Sequence, residues 1–419
     1  METALDFNLL RGLRVVESSA FIAAPLAGMT LAQYGAEVIR IDMVGGGIDY
    51  ARQPMMPGGR SLYWTGLNKG KKSIAVDIRR PAGRELVQAL VTAPGNGGVL
   101  LTNIGVPWLS HALLSERRND LITCTIEGNS DGTTAVDYTV NCAAGFPAIT
   151  GNGSINSPVN HALPAWDIAC AYQAAFGIAA AAANRQATGD GAQMRLALSD
   201  VAFSTLSHLG MLAEAELLNQ ERTSLDNFLY GAFGKDFGTS DGHRVYVAAI
   251  SLGQWKSLVV ACAMQGVCEK IEQEAQLNLE KEEDRFAARL AIAAYLEEWF
   301  KTRSFAAVRE ILNTHKVCWG PYQTVMEALA RDPRLSEANP IFTRVDTAGV
   351  GSHLAAGGTL RIGTTHTGSP VPAPLLGQHT DQILQEVLGL SGAVLGKLHD
   401  DGIVAGPDRD PLVNQPPSV

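Results

Sequence analysis

The sequence lacks several features that would assign it to a familiar class of protein. Its 419 residues carry 33 basic and 42 acidic side chains, a net charge of −9, whereas nucleic-acid-binding proteins usually have a basic surplus. The N-terminal residues are acidic and contain no apolar signal segment. No stretch is apolar enough to predict a membrane span. We therefore expect a protein that binds neither nucleic acid nor membrane.

Cysteine and histidine provide no recognisable metal or disulfide framework. The six cysteines are scattered without a Cys-x-x-Cys pair, and no cluster has the spacing of zinc ligands. Free cysteines in this pattern are typical of a reducing compartment. We expect a cytoplasmic location and no bound metal.

Two signatures of common enzyme classes are also missing. The dinucleotide fingerprint Gly-x-Gly-x-x-Gly does not follow the first predicted strand, and the glycine triplet at 45–47 follows the second strand instead. No Gly-x-Ser-x-Gly elbow occurs. These absences argue against an NAD enzyme and a serine hydrolase, so we predict no NAD.

The first two hundred residues alternate between strand and helix patterns. Two of the predicted helices, 25–33 and 81–91, begin with proline. Alternation of this kind predicts parallel βαβ units in an α/β domain. The predicted strands are 13–16, 37–41, 73–77, 98–102, 121–125 and 193–199. A long helix is predicted after the last of these strands, to about residue 218.

The sequence changes in character near residue 222. Residues 1–221 are predicted to form a large α/β domain, and 222–325 a smaller, mostly helical domain with a strand at 244–249. Residues 326–405 are expected to return to the large domain. The proline-rich segment 406–419 is predicted to be a disordered tail.

Asp167 stands at the start of an alanine-rich helix, predicted over 168–185, behind a turn that contains Pro164. An aspartate here can cap the helix by accepting main-chain N–H groups. The same N–H groups and the helix dipole also stabilise an anion that could act as an acyl-group nucleophile. The residues alone leave both interpretations open.

Two further segments could contact a ligand. Lys69, Lys71 and Lys72 surround a glycine before a strand, and they could bind phosphate or form a solvated turn. Asn103 follows an apolar strand, where ligands of open α/β sheets bind. It could equally be an ordinary turn residue.

Taken together, these segments resemble class III CoA transferases, the formyl-CoA and carnitine CoA-transferase family. The resemblance runs over nearly the whole chain and depends on an ordered set of short motifs. These are 12–16, Ala24-Pro25, 35–40, 67–74, Asn103, Pro164 with Asp167, the Gly-Asp-Gly turn at 189–191, 372–374 and 377–380.

The resemblance implies a fold, an assembly and a nucleophile. The family's large domain is Rossmann-like and built from both chain ends, its smaller domain is α+β, and two chains interlock as rings in a homodimer. The aspartate at the Asp167 position is the family's nucleophile. The expected partners are an acyl-CoA and a dicarboxylic acid. Coenzyme A is the transferred group, with no further cofactor.

The resemblance also implies binding residues. Main-chain N–H groups at Ile22 and Ala23 are the candidate donors to an oxyanion, and Asn160 and His161 the candidates for a substrate carboxylate. The predicted CoA contacts are Arg40, Leu67, Asn68, Lys71, Lys72, Asn103 and Ile104.

Within the family, the stretches 160–167, 137–141 and 230–234 most resemble members that move CoA between the two carboxylates of one mesaconate molecule. Transfer between two separate acids, and a non-catalytic CoA-binding protein, are the alternatives. The segment 104–107 replaces a run that often contains arginine in the family, and no glycine-rich lid is recognisable. Val136-Asp137 stands where related racemases have His-Asp, which argues against proton exchange.

Overall fold

The computed structural model describes residues 8–412 except 58, 364 and 367. The chain forms two compact units. The first comprises Met1–Ala144, Ala162–Ala213 and Pro333–Val419, and the second Gly145–His161 and Glu214–Asp332. The predicted small domain at 222–325 falls inside the second unit, which also includes 145–161, 214–221 and 326–332.

The strands differ widely in length, and the shortest have two residues. In chain order they are β1 Arg14–Ser18, β2 Glu37–Asp42, β3 Lys72–Val76, β4 Val99–Thr102, β5 Ile122–Glu127, β6 Ala192–Ala197, β7 Phe233–Gly238, β8 Arg244–Ala249, β9 Cys318–Pro321, β10 Phe342–Thr347, β11 Gly351–Ala356, β12 Arg361–Ile362, β13 Thr365–His366 and β14 Val404–Ala405.

The helices connect the parallel strands and form much of the second unit. They are α1 Ala23–Gln33, α2 Leu62–Leu67, α3 Pro81–Thr92, α4 His111–Ser115, α5 Asp137–Ala143, α6 Phe146–Ile149, α7 Ala165–Thr188, α8 Leu198–His208, α9 Met211–Leu218, α10 Leu252–Ala261, α11 Gln265–Ala275, α12 Glu282–Ala287, α13 Arg289–Lys301, α14 Phe305–Thr314, α15 Val325–Arg331, α16 Thr380–Leu388 and α17 Gly392–Asp400. No helix in the described part of the chain is long and apolar enough to cross a membrane.

A seven-stranded sheet organises the first unit. Its strand order is β14-β3-β2-β1-β4-β5-β6, with β1 to β6 parallel and β14 antiparallel to β3. The sequence-based prediction of an α/β fold with a parallel sheet is confirmed. The strand order reverses direction between β1 and β4, and ligands of doubly wound folds bind at the carboxyl ends of the strands at such a point.

The core strands are buried because successive residues on both faces of the sheet are apolar. Val16 of β1, Ile39 of β2 and Leu100 of β4 belong to one cluster of buried side chains. Helices pack against the sheet, including α1 on β2, α7 on β5 and α16 on β3. We therefore expect a ligand site at the loops that follow β1 and β4.

Some predicted boundaries differ from the observed ones. The predicted strand 193–199 ends at Ala197, and α8 begins at Leu198. The long helix expected to reach about residue 218 is interrupted at Gly210, whose φ of 73° is a left-handed conformation that stops an α-helix. Both differences come from tight turns that hydrophobic periodicity does not detect.

The second unit has its own core and an antiparallel sheet in the order β7-β8-β9. Phe237 of β7 stacks on Phe300 of α13 with 4.9 Å between ring centroids. Trp255 and Val308 are buried in the same cluster. This packing gives helices α10 to α14 a common hydrophobic surface against one face of the sheet.

The segment predicted as a disordered tail is ordered over its first part. Asp410 is only 1% exposed, and its carboxylate accepts the Tyr50 hydroxyl at 2.6 Å and the main-chain N–H of Leu376 at 3.0 Å. The prediction is wrong for 406–412 because a buried carboxylate fixes a proline-rich segment. Residues 413–419 lie outside the described residues.

Candidate active site

The loop between β1 and α1 is fixed by a side chain from β4's carboxyl end. Asn103 Oδ1 accepts the main-chain N–H of Ala20 at 3.0 Å, and Asn103 Nδ2 donates to the Ala20 carbonyl at 2.7 Å. The Asn103 side-chain amide therefore bonds to both main-chain polar groups of Ala20, as a neighbouring strand would, at the point where the strand order reverses. Asn103 therefore positions the loop that precedes α1.

A second residue fixes the same loop one position later. Phe21 has a φ of 67°, a left-handed conformation that a bulky side chain rarely adopts. Its main-chain N–H donates to Asp49 Oδ2 at 3.0 Å. The Asp49 bond compensates for the unfavourable backbone conformation. Ile22 and Ala23 follow Phe21 at the start of α1, where main-chain N–H groups have no acceptor within the helix.

A buried network of charges lies next to this loop. The Arg40 guanidinium contacts Glu17 at 3.1 Å, Asp42 at 2.8 Å and Asp49 at 3.3 Å. Burial disfavours its charge, but the three carboxylates raise the pKa of Arg40 above its ordinary value. Arg40 thus stays charged and joins β1, β2 and the Asp49 segment.

Lys71 completes the network. Its Nζ lies 2.8 Å from Glu17 and donates to the Pro25 carbonyl and Asn68 Oδ1, both at 2.8 Å. Burial lowers the pKa of Lys71 to about 8, against the opposing effect of Glu17. All three ammonium hydrogens have acceptors. Lys71 therefore ties the start of α1 to the β3 segment.

The predicted CoA contacts divide into two groups. Arg40 and Lys71 are buried with their charged ends bonded to the protein, and buried Asn68 donates to the Trp64 carbonyl at 2.8 Å. Lys72 is partly exposed and pairs with Glu37 at 2.7 Å. Leu67 and Ile104 are half-buried. A CoA contact at any of these positions stays a prediction.

The start of α7 is capped from a different helix. Asp137, the first residue of α5, is 1% exposed, and its Oδ2 accepts the main-chain N–H groups of Trp166 at 2.7 Å and Asp167 at 3.0 Å. The N-cap residue Pro164 makes no side-chain cap bond. Asp137 therefore performs the capping role that the sequence left open for Asp167.

Asp167 is left with an uncommitted carboxylate. No described residue makes a hydrogen bond to that carboxylate. Burial, and to a lesser degree the nearby charge of Asp137, raise the pKa of Asp167 to about 7. A carboxylate with a pKa near neutrality is more basic than usual, as a nucleophile or general base requires. The geometry favours a chemical role for Asp167 over a capping role.

A cavity of about 510 Å³ brings the site together. Its lining includes Asp167, Ile22, Ala23 and Asn103, which the sequence predicted, and all lining residues belong to the first unit. Asn160 and His161, the predicted carboxylate contacts, belong to the second unit. The sequence did not indicate that Asp49, Arg52 and Tyr63 belong to the site or its supports, nor that Asp137 caps α7.

Two cysteines of the first unit have buried thiols. Cys170 and Cys124 are buried, and burial raises the pKa of each thiol to about 12. A thiol with such a pKa is a poor nucleophile at neutral pH. Among the described residues, no group of three or more histidine, cysteine, aspartate or glutamate side chains could hold a metal ion.

Comparison with known proteins identifies the family. A family model described as CoA-transferase family III matches residues 10–380, a range that includes both the loop before α1 and Asp167. The chain belongs to this family. A CoA transferase needs a nucleophile that forms acyl intermediates, and Asp167 with its free carboxylate fits that need.

Individual relatives cover the chain almost from end to end. The 2-methylfumaryl-CoA isomerase of Chloroflexus aurantiacus is 50% identical over 405 residues, which cover 96% of this chain and 99% of the relative. A formyl-CoA:oxalate CoA-transferase of Rhodopseudomonas palustris is 26% identical, covering 98% of this chain and 99% of its own. A crystal structure of a CAIB/BAIF family protein from Brucella suis aligns with a TM-score of 0.74 and 25% identity, covering 90% of this chain and 99% of the other.

Proposed function

We propose that this enzyme catalyses 2-methylfumaryl-CoA isomerisation, moving CoA between the two carboxylates of one mesaconate molecule with Asp167 as nucleophile. The 50% identity to an isomerase of that name, over nearly all of both chains, supports the substrate. The unengaged Asp167 carboxylate in the cavity supports the mechanism.

The first half of the reaction moves CoA onto the enzyme. An Asp167 oxygen attacks the thioester carbonyl, the C–S bond breaks, and CoA leaves as a thiolate from a mixed aspartyl anhydride. The thiolate then attacks the aspartyl carbonyl of that anhydride. This step releases free mesaconate and leaves CoA bound to Asp167 as a thioester.

The second half repeats these steps in reverse with the other carboxylate. That carboxylate attacks the aspartyl thioester, CoA thiolate leaves, and a second anhydride forms. The thiolate attacks the mesaconyl carbonyl, which yields the isomeric thioester and restores ionised Asp167. No proton is gained or lost overall, so the enzyme needs an ionised nucleophile and a water-excluding cavity more than an acid or base.

Each carbonyl attack develops negative charge on an oxygen. Ile22 and Ala23 line the cavity at the start of α1, where helix geometry leaves main-chain N–H groups without internal acceptors. They are our candidates for the oxyanion donors. Removing one such donor typically lowers kcat by about 100-fold or more.

The deciding experiment follows both the isomers and the released acid. The protein is incubated with 2-methylfumaryl-CoA and isotopically labelled free mesaconate. The two CoA isomers are then separated by chromatography, and mass spectrometry measures the label in each. Isomerisation without label in the product supports intramolecular transfer. Label in the product supports the alternative, an intermolecular CoA transferase, because the diacid then leaves the enzyme.

An aspartate variant tests the nucleophile, and an exposed aspartate beyond the other end of α7 provides the control. Asp167→Ala should abolish turnover, whereas Asp190→Ala, in the exposed turn after α7, should not change it. Hydroxylamine should trap an acyl adduct on Asp167 in the unmodified protein. Turnover by Asp167→Ala at a comparable rate would refute the mechanism, and absence of any adduct would favour a non-catalytic CoA-binding protein.

We also propose that the enzyme is a homodimer. Tyr172 and Phe176 on α7 are 55% and 74% exposed, so an apolar strip of this helix faces outward in the single chain. Exposed apolar patches of this kind are common at protein interfaces. Light scattering coupled to size-exclusion chromatography measures the mass directly, and a mass of one chain would contradict the proposal.

A further inference from the structure

The cavity that holds Asp167 also holds an arginine with unused hydrogen-bonding capacity. Arg52 is exposed and lines this cavity. Its guanidinium lies 5.3 Å from the ring centroid of Phe21 and 5.1 Å from that of Tyr63. No described residue pairs with this guanidinium through an ion pair or a side-chain hydrogen bond. The two rings fix its position but occupy none of its five N–H donors.

Arg40 differs from Arg52 because it has carboxylate partners within the protein. Its guanidinium is buried against three carboxylates, so its charge is already neutralised within the protein. The charge of Arg52 is not. An arginine that is held in place without an acidic partner, inside a cavity, has the geometry to bind an anionic group of a ligand through two parallel N–H donors.

Tyr63 presents a second unused donor to the same cavity. Its hydroxyl is buried from solvent and makes no hydrogen bond. Burial raises the pKa of Tyr63 to about 12, and the opposing effect of Arg52 does not cancel this. The hydroxyl therefore keeps its proton at neutral pH. A buried hydroxyl without a partner is unfavourable, and a ligand acceptor would relieve that cost.

We propose that Arg52 and Tyr63 bind the free carboxylate of a dicarboxylate monothioester while its thioester carbonyl lies at Asp167. This inference rests on the proposed function and extends it, because it names the residues that select diacid thioesters over monoacid thioesters. It also replaces Asn160 and His161 as the carboxylate contacts.

The proposed contact explains how a released diacid stays in the cavity. After CoA has moved to Asp167, both carboxylates of the acid are free, and the ion pair with Arg52 retains the molecule. The carboxylate released from the anhydride can then exchange places with the one at Arg52. Retention raises the effective concentration of the second carboxylate at the Asp167 thioester.

Two thioesters that differ at one group test the proposal. Tiglyl-CoA has a methyl group where 2-methylfumaryl-CoA has its free carboxylate. Dissociation constants of both are measured by calorimetry on Asp167→Asn protein, which cannot turn over, with and without Arg52→Gln or Tyr63→Phe. Arg117→Gln, which removes an exposed arginine paired with Glu85, is the matched control.

We expect Arg52→Gln to weaken 2-methylfumaryl-CoA binding on the order of 100-fold and Tyr63→Phe about 10-fold, the losses typical of charged and neutral hydrogen bonds. Binding of tiglyl-CoA should change less than about threefold, and Arg117→Gln should change neither. Thermal unfolding should be unaltered by Arg52→Gln because the side chain is exposed.

Equal weakening of both thioesters would overturn the proposal and assign Arg52 to a CoA phosphate. Unchanged binding of 2-methylfumaryl-CoA would overturn it as well. Because the readout is binding, it is independent of turnover. If the unmodified enzyme fails to isomerise 2-methylfumaryl-CoA, the proposed function is wrong, while the ratio of the two dissociation constants still decides the role of Arg52.

Discussion

Asp137 Oδ2 accepts the main-chain N–H of Asp167 at 3.0 Å, so one carboxylate holds the backbone of another. The contact caps α7 and leaves the Asp167 side chain uncommitted. It also keeps a negative charge close to that side chain, which contributes to the raised pKa of Asp167. One residue thereby fixes the position of the candidate nucleophile and adds to the basicity that burial gives it.

Asp137→Asn should separate these two effects. The amide oxygen can still accept both N–H groups, but the negative charge is gone. The acid limb of kcat/KM, which reports ionisation of Asp167, should move to lower pH by about one unit. Burial, the larger cause, remains. The measurement is kcat/KM of CoA transfer between pH 5 and 9, and an unmoved limb would contradict the electrostatic role.

Asp137→Ala provides the complementary comparison. It removes the charge and the cap together, so the free energy of unfolding should fall by about 1–2 kcal/mol. Equal stability of the Ala and Asn variants in urea would show that the cap contributes nothing.

Asp167→Asn should stabilise the protein, and more so at high pH. Burial and Asp137 raise the pKa of Asp167 from 3.8 to about 7, so the folded state binds its proton more tightly than the unfolded state. The unmodified protein therefore loses stability as pH rises through this window. The stability difference between variant and unmodified protein should grow by about 3 kcal/mol from pH 5 to pH 8.5.

Urea unfolding at both pH values measures this difference, with Asp190→Asn as the exposed control. A difference that stays constant or shrinks with rising pH would mean that Asp167 has an ordinary pKa in the folded protein.

Asn103→Ala should lower kcat more than it weakens CoA binding. The substitution removes both hydrogen bonds to Ala20, so the main-chain N–H groups that follow lose their fixed position. We expect kcat to fall about 10-fold or more, with the dissociation constant of CoA nearly unchanged. The opposite pattern would indicate that Asn103 contacts CoA directly, as the sequence predicted.

Lys71→Met and Lys72→Met should differ sharply in stability. Lys71 is fully buried against Glu17. Its removal leaves Arg40 as the remaining ionic partner of that buried carboxylate, and breaking a buried ion pair typically costs about 3–5 kcal/mol. The Lys72 pair with Glu37 is partly exposed, with side-chain exposures of 30% and 27%, so its loss should cost about 1 kcal/mol or less. Chemical unfolding curves of the two variants test this, and similar costs would contradict the network's role.

The sequence predicted the parallel sheet and two residues of the site, Asn103 and Asp167, because each of these features depends on a short local pattern. Apolar runs bounded by turns predict β1 to β5, and Asn103 and Asp167 each stand at the end of a predicted element. The family resemblance then identified Asp167 as a nucleophile. The structure adds the reason why the Asp167 side chain does not cap α7: Asp137 already accepts the main-chain N–H groups there.

The remaining parts of the site depend on contacts between distant residues. Asp137 lies 30 positions before Asp167 and Asp49 lies 28 positions after Phe21, and no local pattern connects the members of either pair. Arg52 lies in an irregular exposed segment whose sequence resembles an ordinary loop. Its role becomes visible only when Phe21 and Tyr63 are seen on either side of it.

The position of β14 has a consequence for the order in which the molecule is made. Val404 and Ala405 complete the sheet beside β3, and Asp410 bonds to Tyr50, 360 positions earlier. During synthesis, the first unit therefore stays unfinished until residues 404–410 have left the ribosome. The second unit, whose residues all lie between 145 and 332, can fold while the first unit still lacks its closing strand.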